Sequence, residues 1–556
     1  MKLSAEWRSC LVLLGLGISS AGCGGSADAV WEGEDVASLE AAVSAPNDPD
    51  FKTLQWHLNN TGQGIYLKDD PVVGIKGVDL RILKAWDKTV GSSSVVVGVI
   101  EASDMDLAHE DLAGQLWVNS GEIAGNGVDD DHNGYVDDRN GFDFVDRDGF
   151  NDPGDHGTHI LGTIAAKKGN GLGGSGVAPG VRVMALRATA KDSTLIEAIN
   201  YAKSKGVKII NLSQGGLDYF NDAVRTKLAA ETGMLFICSA GNFAGAQYNY
   251  PSSYDLPNVL SIANIDNLGR LSPNSNVGEL NVDIAAPGSA IWNTIAGNAY
   301  DRETGTSQAA ATVSGVAALL RSSEPSLTPT GIITRLLNTG MRFGYLNRLT
   351  KVPAIVDAEA ALNDVLNVNL QATSVPGAIT LTWNAVSGAT RYQVERDGTM
   401  VDNGTSLTFV HNGLSAGSGH IYRVRAQVGG SYGKWSYRLL KLASREPTLE
   451  TLTTPVEPQR DSAGKYRPNQ NLNVPITRPG ATLIRAHFSK VIVRPEDALT
   501  VVNGTSQGVY HEGLSGYSNT GFWTHWSENA LSVKFVSDAS GGDYGFKVDK
   551  IEYVLP

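Results

Sequence analysis

Three polar residues framed by glycine and small side chains carry the chemistry available to this sequence. His156 lies in DHGTHILGTIAA, Asn242 in SAGN and Ser307 in GTSQAAATVSGVAALL, in that chain order. A serine hydroxyl attacks an amide only when a neutral imidazole takes its proton and fixed dipoles hold the developing oxyanion. In that scheme His156 is the base, Ser307 the nucleophile and Asn242 an oxyanion donor. A carboxylate must then orient the imidazole, and the apolar run SVVVGVI delivers Glu101 at its end. Each residue alone is weak evidence; their joint order carries the reading.

The elements that must position these groups alternate along the chain. SSSVVVGVI, VRVMALR, VKIINLS, MLFICSA and VLSIANI read as strands, and STLIEAINYAKSKG and FNDAVRTKLAAETG read as helices. Such alternation predicts an α/β fold, a parallel sheet with helices on both faces. Function then belongs at the carboxyl ends of the strands, where Glu101 and Asn242 fall. Ser307 opens a helix of small residues, so free N–H groups and the helix dipole face any negative charge that develops there.

From about Asn47 to Asp364 the sequence resembles the subtilase family of serine peptidases. The segments that carry the likeness are DPDFKTLQWHLNNTGQ, LKAWDKTVGSSSVVVGVI, the His156 motif, GVAPGVRVMALR, VKIINLSQGG, LFICSAGN, YPSSYDLPNVLSIANID, DIAAPG and the Ser307 motif. The order acid, histidine, serine is that of the family. The resemblance implies a subtilisin-like fold and hydrolysis of peptide bonds in peptides or proteins through an acyl-enzyme at Ser307. It also implies that Ser213, Gln214 and Gly215, with Ser239, Ala240 and Gly241, bind the extended substrate, and that Tyr250–Pro251 is a cis peptide at the pocket wall. The family reads Val-Ile-Asp-Thr/Ser-Gly at the acid. Counting back from His109, Asp111 and Leu112 puts Ala102 there, whereas the strand register puts Glu101 there. The register is the better guide, because a one-residue slip turns every side chain to the opposite face. Gln308, Ala311, Thr312 and Asp155 also depart from the usual residues. A second reading therefore stands beside the peptidase: a catalytically impaired subtilase kept as a surface scaffold or adhesin.

Between the acid and the histidine runs GNGVDDDHNGYVDDRNGFDFVDRDGFNDPGD. Asp129, Asp131 and Asn133 alternate before Gly134, a pattern that converges side-chain oxygens and the Tyr135 carbonyl on calcium, with Asp137 or Asp138 closing the shell. The plain alternative is a solvated acidic loop.

The remainder bounds the setting. A net charge of −13 on 556 residues argues against nucleic acid as a partner. Residues 1–22 read as an export signal, too short to remain as a membrane span. Ser-Ala-Gly-Cys at 20–23 resembles a bacterial lipobox, which implies lipidation of Cys23 and anchoring at the cell envelope; ordinary cleavage and secretion is the alternative. Residues 23–47 read as a flexible tether and 48–364 as the peptidase domain. Residues 365–444 resemble a fibronectin type III domain with Trp383 in its core and a corner at Leu414 and Tyr422. A linker over 445–460 leads to 461–556, which resemble a CUB-like β-sandwich. The two all-β modules are expected to serve as spacers or to meet cell-surface partners. Cys238, inside MLFIC, reads as a buried small hydrophobe.

Overall fold

Among the described residues, seven strands rich in Val, Ile and Leu form one parallel array. They are β1 (Val96–Glu101), β2 (Gly141–Asp143), β3 (Arg182–Arg187), β4 (Ile209–Leu212), β5 (Leu235–Ser239), β6 (Val259–Ile265) and β7 (Ile284–Pro287), in the spatial order β2-β3-β1-β4-β5-β6-β7. The computed structural model describes residues 45–556 apart from 68–69, 150–151, 191–192, 217–218, 246–247, 494–496, 504–508, 511–520, 540–543 and 556. The export signal, Cys23 and most of the expected tether therefore lie outside the described residues.

Four helices cover the array: α1 (Asp155–Ala165), α2 (Ser193–Ser204), α3 (Asp222–Ala230) and α4 (Thr306–Ser323). Successive strand residues point to opposite faces, so Val97 and Val99 join the core beneath α1 and α4, while Ile100 joins the core beneath α2 and α3. Both faces are thus apolar, as a helix-covered parallel sheet requires. Helix α4 runs through the centre because its residues are small. A Cβ on its Gly315 would lie 2.5 Å from the Val177 Cβ, closer than two carbons can approach. Cys238 is fully buried in the second core.

The sheet does not stop at the expected boundary near residue 364. Strand β8 (Met341–Phe343) pairs antiparallel with β9 (Ala354–Ile355), which runs parallel to β7. The following β region contributes β10 (Gln371–Val375), β11 (Ala378–Thr382), β12 (Ala389–Arg396), β13 (Thr399–Asp402), β14 (Thr408–Asn412), β15 (Gly419–Val428) and β16 (Leu439–Leu442). Strand β16 pairs parallel with β8, so β12, β13, β15 and β16 continue the sheet that holds the parallel array, while β10, β11 and β14 form a separate one. Arg438 Nε meets Asp357 Oδ2 at 2.5 Å across this junction, both side chains at most 2% exposed. Arg423 and Arg81 both reach Glu359 at 2.9 Å. Trp383 and Tyr392 are buried in the core of this region. The Tyr422 hydroxyl meets His411 Nδ1 at 2.8 Å, where the corner reading expects a backbone group.

The last region sets two antiparallel sheets around Phe488, Val533, Phe535, Phe546 and Val548. Its buried Arg485 lies over Trp523 and Trp526 and donates to the Asn347 carbonyl at 2.9 Å. His525 Nε2 meets the Ser275 carbonyl at 3.0 Å. These contacts fasten the region to the one that holds the parallel array.

Candidate active site

Glu101 closes β1. Its Cα pairs with that of Arg187 on β3, and the Ala188 N–H donates to its carbonyl at 2.8 Å. The side chain therefore points into the molecule and is 2% exposed, while Ala102 is exposed. Helix α1 starts at Asp155, which sets His156 in its first turn, and His156 Nδ1 lies 3.0 Å from Glu101 Oε2. Burial disfavours the charged imidazolium, but the Glu101 charge and hydrogen bond, with the more distant Glu303, outweigh it and raise the His156 pKa to about 9. The other carboxylate oxygen, Glu101 Oε1, is buried without a partner among the described residues, as is Ser103 Oγ.

Ser307 is the second residue of α4, with its side chain at the mouth of the helix. Its hydroxyl donates to the Ser213 carbonyl at 3.0 Å, and the Ser213 hydroxyl donates to the Ser307 carbonyl at 2.9 Å. This reciprocal pair ties the start of α4 to the end of β4. The Thr306 N–H and hydroxyl both donate to Asn242 Oδ1, at 2.9 and 3.0 Å. With its oxygen so engaged, the Asn242 amide keeps its NH2 as the outward donor. The Ser307 N–H belongs to the first turn of a helix and has no intrahelical acceptor. Two groups are thus in contact, Glu101 with His156 and Ser307 with Ser213, the latter beside the Thr306–Asn242 pair; the Ser307 hydroxyl is held by the Ser213 carbonyl, and a buried acid, an imidazole, a hydroxyl and N–H donors are the parts that acyl transfer uses.

The six residues expected to bind substrate divide into four kinds. Gly215 and Gly241 keep the floor thin: a Cβ on Gly215 would lie 2.6 Å from Asn249 Nδ2, and Gly241 has φ 105°, a left-handed value that suits glycine. Ser213 and Ser239 are buried at strand ends, the Ser239 carbonyl accepting from Asn249 Nδ2 at 2.8 Å. Ala240 packs into the core beneath. Gln214 is a strut: its amide NH2 donates to the Ala188 carbonyl at 2.8 Å, and its oxygen accepts from the Ala190 N–H at 2.8 Å. The Tyr250–Pro251 peptide is cis.

Residues 92–367 match the subtilase family. The chain is 32% identical over 285 residues to thermitase of Thermoactinomyces vulgaris, a stretch that covers 50% of this chain and 85% of thermitase. The chain belongs to the subtilase family. It is also 36% identical over 248 residues to the thermophilic serine proteinase of Bacillus sp. (strain AK1) and 33% identical over 373 residues to the extracellular basic protease of Dichelobacter nodosus, covering 43% and 60% of this chain. Those matches span 55% and 58% of the two relatives' own lengths.

In this subtilase the acidic loop gathers a group that the sequence pattern only half contains. Ligand oxygens of Glu122, Asp129 and Asp131 lie within 4.8 Å of one another. Glu122 is 2% exposed, and its Oε2 has no partner among the described residues. Beside this group, the Asn133 N–H donates to Asp129 Oδ1 at 3.0 Å and to Asp131 Oδ1 at 3.1 Å. Asp138 is fully buried, accepts from the Tyr201 hydroxyl at 2.6 Å and from Asn133 Nδ2 at 2.8 Å, and lies 3.3 Å from Lys205 Nζ. The Tyr135 ring packs edge-on against Phe142 and Tyr201. Sequence reasoning missed Glu122 because it stands seven residues before the acidic run. It also missed Glu303, whose Oε2 accepts from Gln308 Nε2 at 2.5 Å and whose burial raises its pKa. Glutamine at the position where subtilases usually carry methionine was the visible clue.

Proposed function

We propose that this subtilase is a serine endopeptidase that hydrolyses peptide bonds in proteins or peptides, with Ser307 as nucleophile, His156 as base and Glu101 as the orienting acid. The carrying observation is the 3.0 Å contact between His156 Nδ1 and the buried Glu101 carboxylate. With Nδ1–H held by Glu101, the lone pair of the imidazole resides on Nε2, the tautomer a base requires. The Ser307 hydroxyl leaves the Ser213 carbonyl by rotation about χ1 and gives its proton to Nε2 as Oγ attacks the scissile carbonyl. The oxyanion meets the Ser307 N–H and the Asn242 NH2. His156 returns the proton to the leaving amine, and water repeats the sequence on the acyl-enzyme. Hydrolysis of a denatured protein by wild type and by Ser307→Ala tests this; equal cleavage by both would overturn it.

The Glu122–Asp129–Asp131 group fits a hard cation, since its donors are carboxylate oxygens and one is a buried atom otherwise without a partner. Calcium there would neutralise clustered charge and brace the loop leading to α1. Ser-Ala-Gly-Cys at 20–23 supports a lipid anchor at Cys23 and a place on the bacterial envelope; wild type should partition with membranes and Cys23→Ala should not, equal partitioning of both would rule out the anchor, and wild type that stays off membranes would mean secretion. The fibronectin type III-like and CUB-like readings of the two β regions assign them spacing or surface contact.

A further inference from the structure

At one end of the first β region, three potential ligands converge from two sheets. His411 lies on β14, in the separate sheet; His420 lies on β15, in the shared sheet; Asp397 lies in the turn between β12 and β13. One ligand atom of each lies within 4.8 Å of the other two. The imidazoles meet edge to face with centroids 5.0 Å apart. Asp397 adopts φ 50°, and its Oδ1 accepts the Ile421 N–H at 2.9 Å, which fixes the turn over β15. Its Oδ2 lies 2.7 Å from His420 Nδ1.

We propose that Asp397, His411 and His420 form a binding site for a borderline divalent transition ion of the zinc class, a clip between the two sheets. Two imidazole nitrogens and one carboxylate oxygen are the donor set such ions prefer, whereas calcium takes oxygen alone. The ion would take the place of the hydrogen bond between His420 Nδ1 and Asp397 Oδ2, with the ring's N–H then on Nε2, toward the Ser418 hydroxyl. His411 Nδ1, held by the Tyr422 hydroxyl at 2.8 Å, leaves Nε2 to the metal; such a partner on the far nitrogen fixes a ligand's orientation. With three protein ligands a fourth position stays with water.

The test uses the full chain stripped of metal and then saturated with Ca2+ to fill the acidic loop. Zn2+ is titrated against a chromogenic chelator. One equivalent should bind to wild type, none of it tightly to His411→Gln or His420→Gln, and Asp397→Asn should lose at least tenfold in affinity. The melting temperature of wild type, and not of the variants, should rise with Zn2+. In wild type labelled with 15N-histidine, the His411 and His420 imidazole signals should move on Zn2+ addition while those of buried His57 and His159 stay, a readout independent of how the variants fold. Zn2+ binding unchanged by either histidine substitution, absence of binding to wild type, or unmoved His411 and His420 signals would overturn the proposal.

Discussion

The cleft and the Asp397 corner each set a histidine Nδ1 against a carboxylate, at 3.0 Å for His156–Glu101 and 2.7 Å for His420–Asp397, with opposite exposure. In the cleft the acid is 2% exposed and the base 36%; in the corner the base is 17% exposed and the acid 38%. A buried acid acts through low dielectric on a ring that faces the cleft, which suits proton transfer to an incoming group. In the corner His420 Nε2 meets the Ser418 hydroxyl, which already donates to the Ser415 carbonyl, so both ring nitrogens are engaged. The pair is the same; what surrounds each member decides its chemistry.

Substitution should separate the two pairs sharply. Ser307→Ala or His156→Ala should lower turnover by about 10⁶, as loss of either residue does in subtilisin. His420→Gln should leave turnover within roughly twofold, because distant sites without shared partners act independently. Equal losses in the two histidine variants, measured as kcat on a peptide substrate, would erase the distinction.

A smaller effect should follow from the acid. Glu101→Gln should cost about 10⁴ in turnover, the scale of losing the corresponding carboxylate in subtilisin. In wild type the rise of kcat/KM with pH should have its midpoint near 9, the value to which Glu101 raises His156. In Glu101→Gln that midpoint should fall toward the ordinary imidazole value of about 6.5. The sign for stability follows from the same shift: a pKa raised in the folded state stabilises fully below about 6.5 and is lost as pH rises through about 9. Wild type should therefore lose more stability than Glu101→Gln in a denaturant titration across that window.

Next in size is the junction that joins the two regions. Arg438→Ala leaves Asp357 buried and unpaired, a change that costs about 3–5 kcal/mol. Chemical denaturation should register that loss; a change under 1 kcal/mol would mean the shared sheet alone holds the junction. Smallest is the acidic loop. Chelation should lower the melting temperature of wild type by an amount corresponding to about 2–3 kcal/mol at a hundredfold excess of calcium over its Kd. Asp131→Ala should remove most of that sensitivity, and an identical response in both would show that the loop is only acidic.

That Glu101 and not Ala102 faces inward, against His156, was legible because β-strand alternation fixes which residue points in, whatever its type. The sheet, its helices and the chain order of His156, Asn242 and Ser307 were legible for a related reason: each is written in local pattern. Glu122, Glu303 and the Arg438–Asp357 pair were not, since each acts through contacts that only the folded chain creates. The resemblance implies that the Gln214 segment binds substrate; that its side-chain amide braces the Ala188 carbonyl and the Ala190 N–H is a contact only the folded chain creates. Asp138 fits the calcium spacing, and the fold also sets it beside Tyr201 and Lys205, partners that a loop motif cannot announce.

Fluorophosphonate labelling, with the modified residue located by mass spectrometry, tests the central claim most directly, because it reads the nucleophilicity of Ser307 without requiring the right substrate. Wild type should be labelled at Ser307, Ser307→Ala not at all, Glu101→Gln far more slowly, and His420→Gln at the wild-type rate. Folded wild type that takes no label at Ser307, or that takes it as fast without Glu101 as with it, would contradict the account.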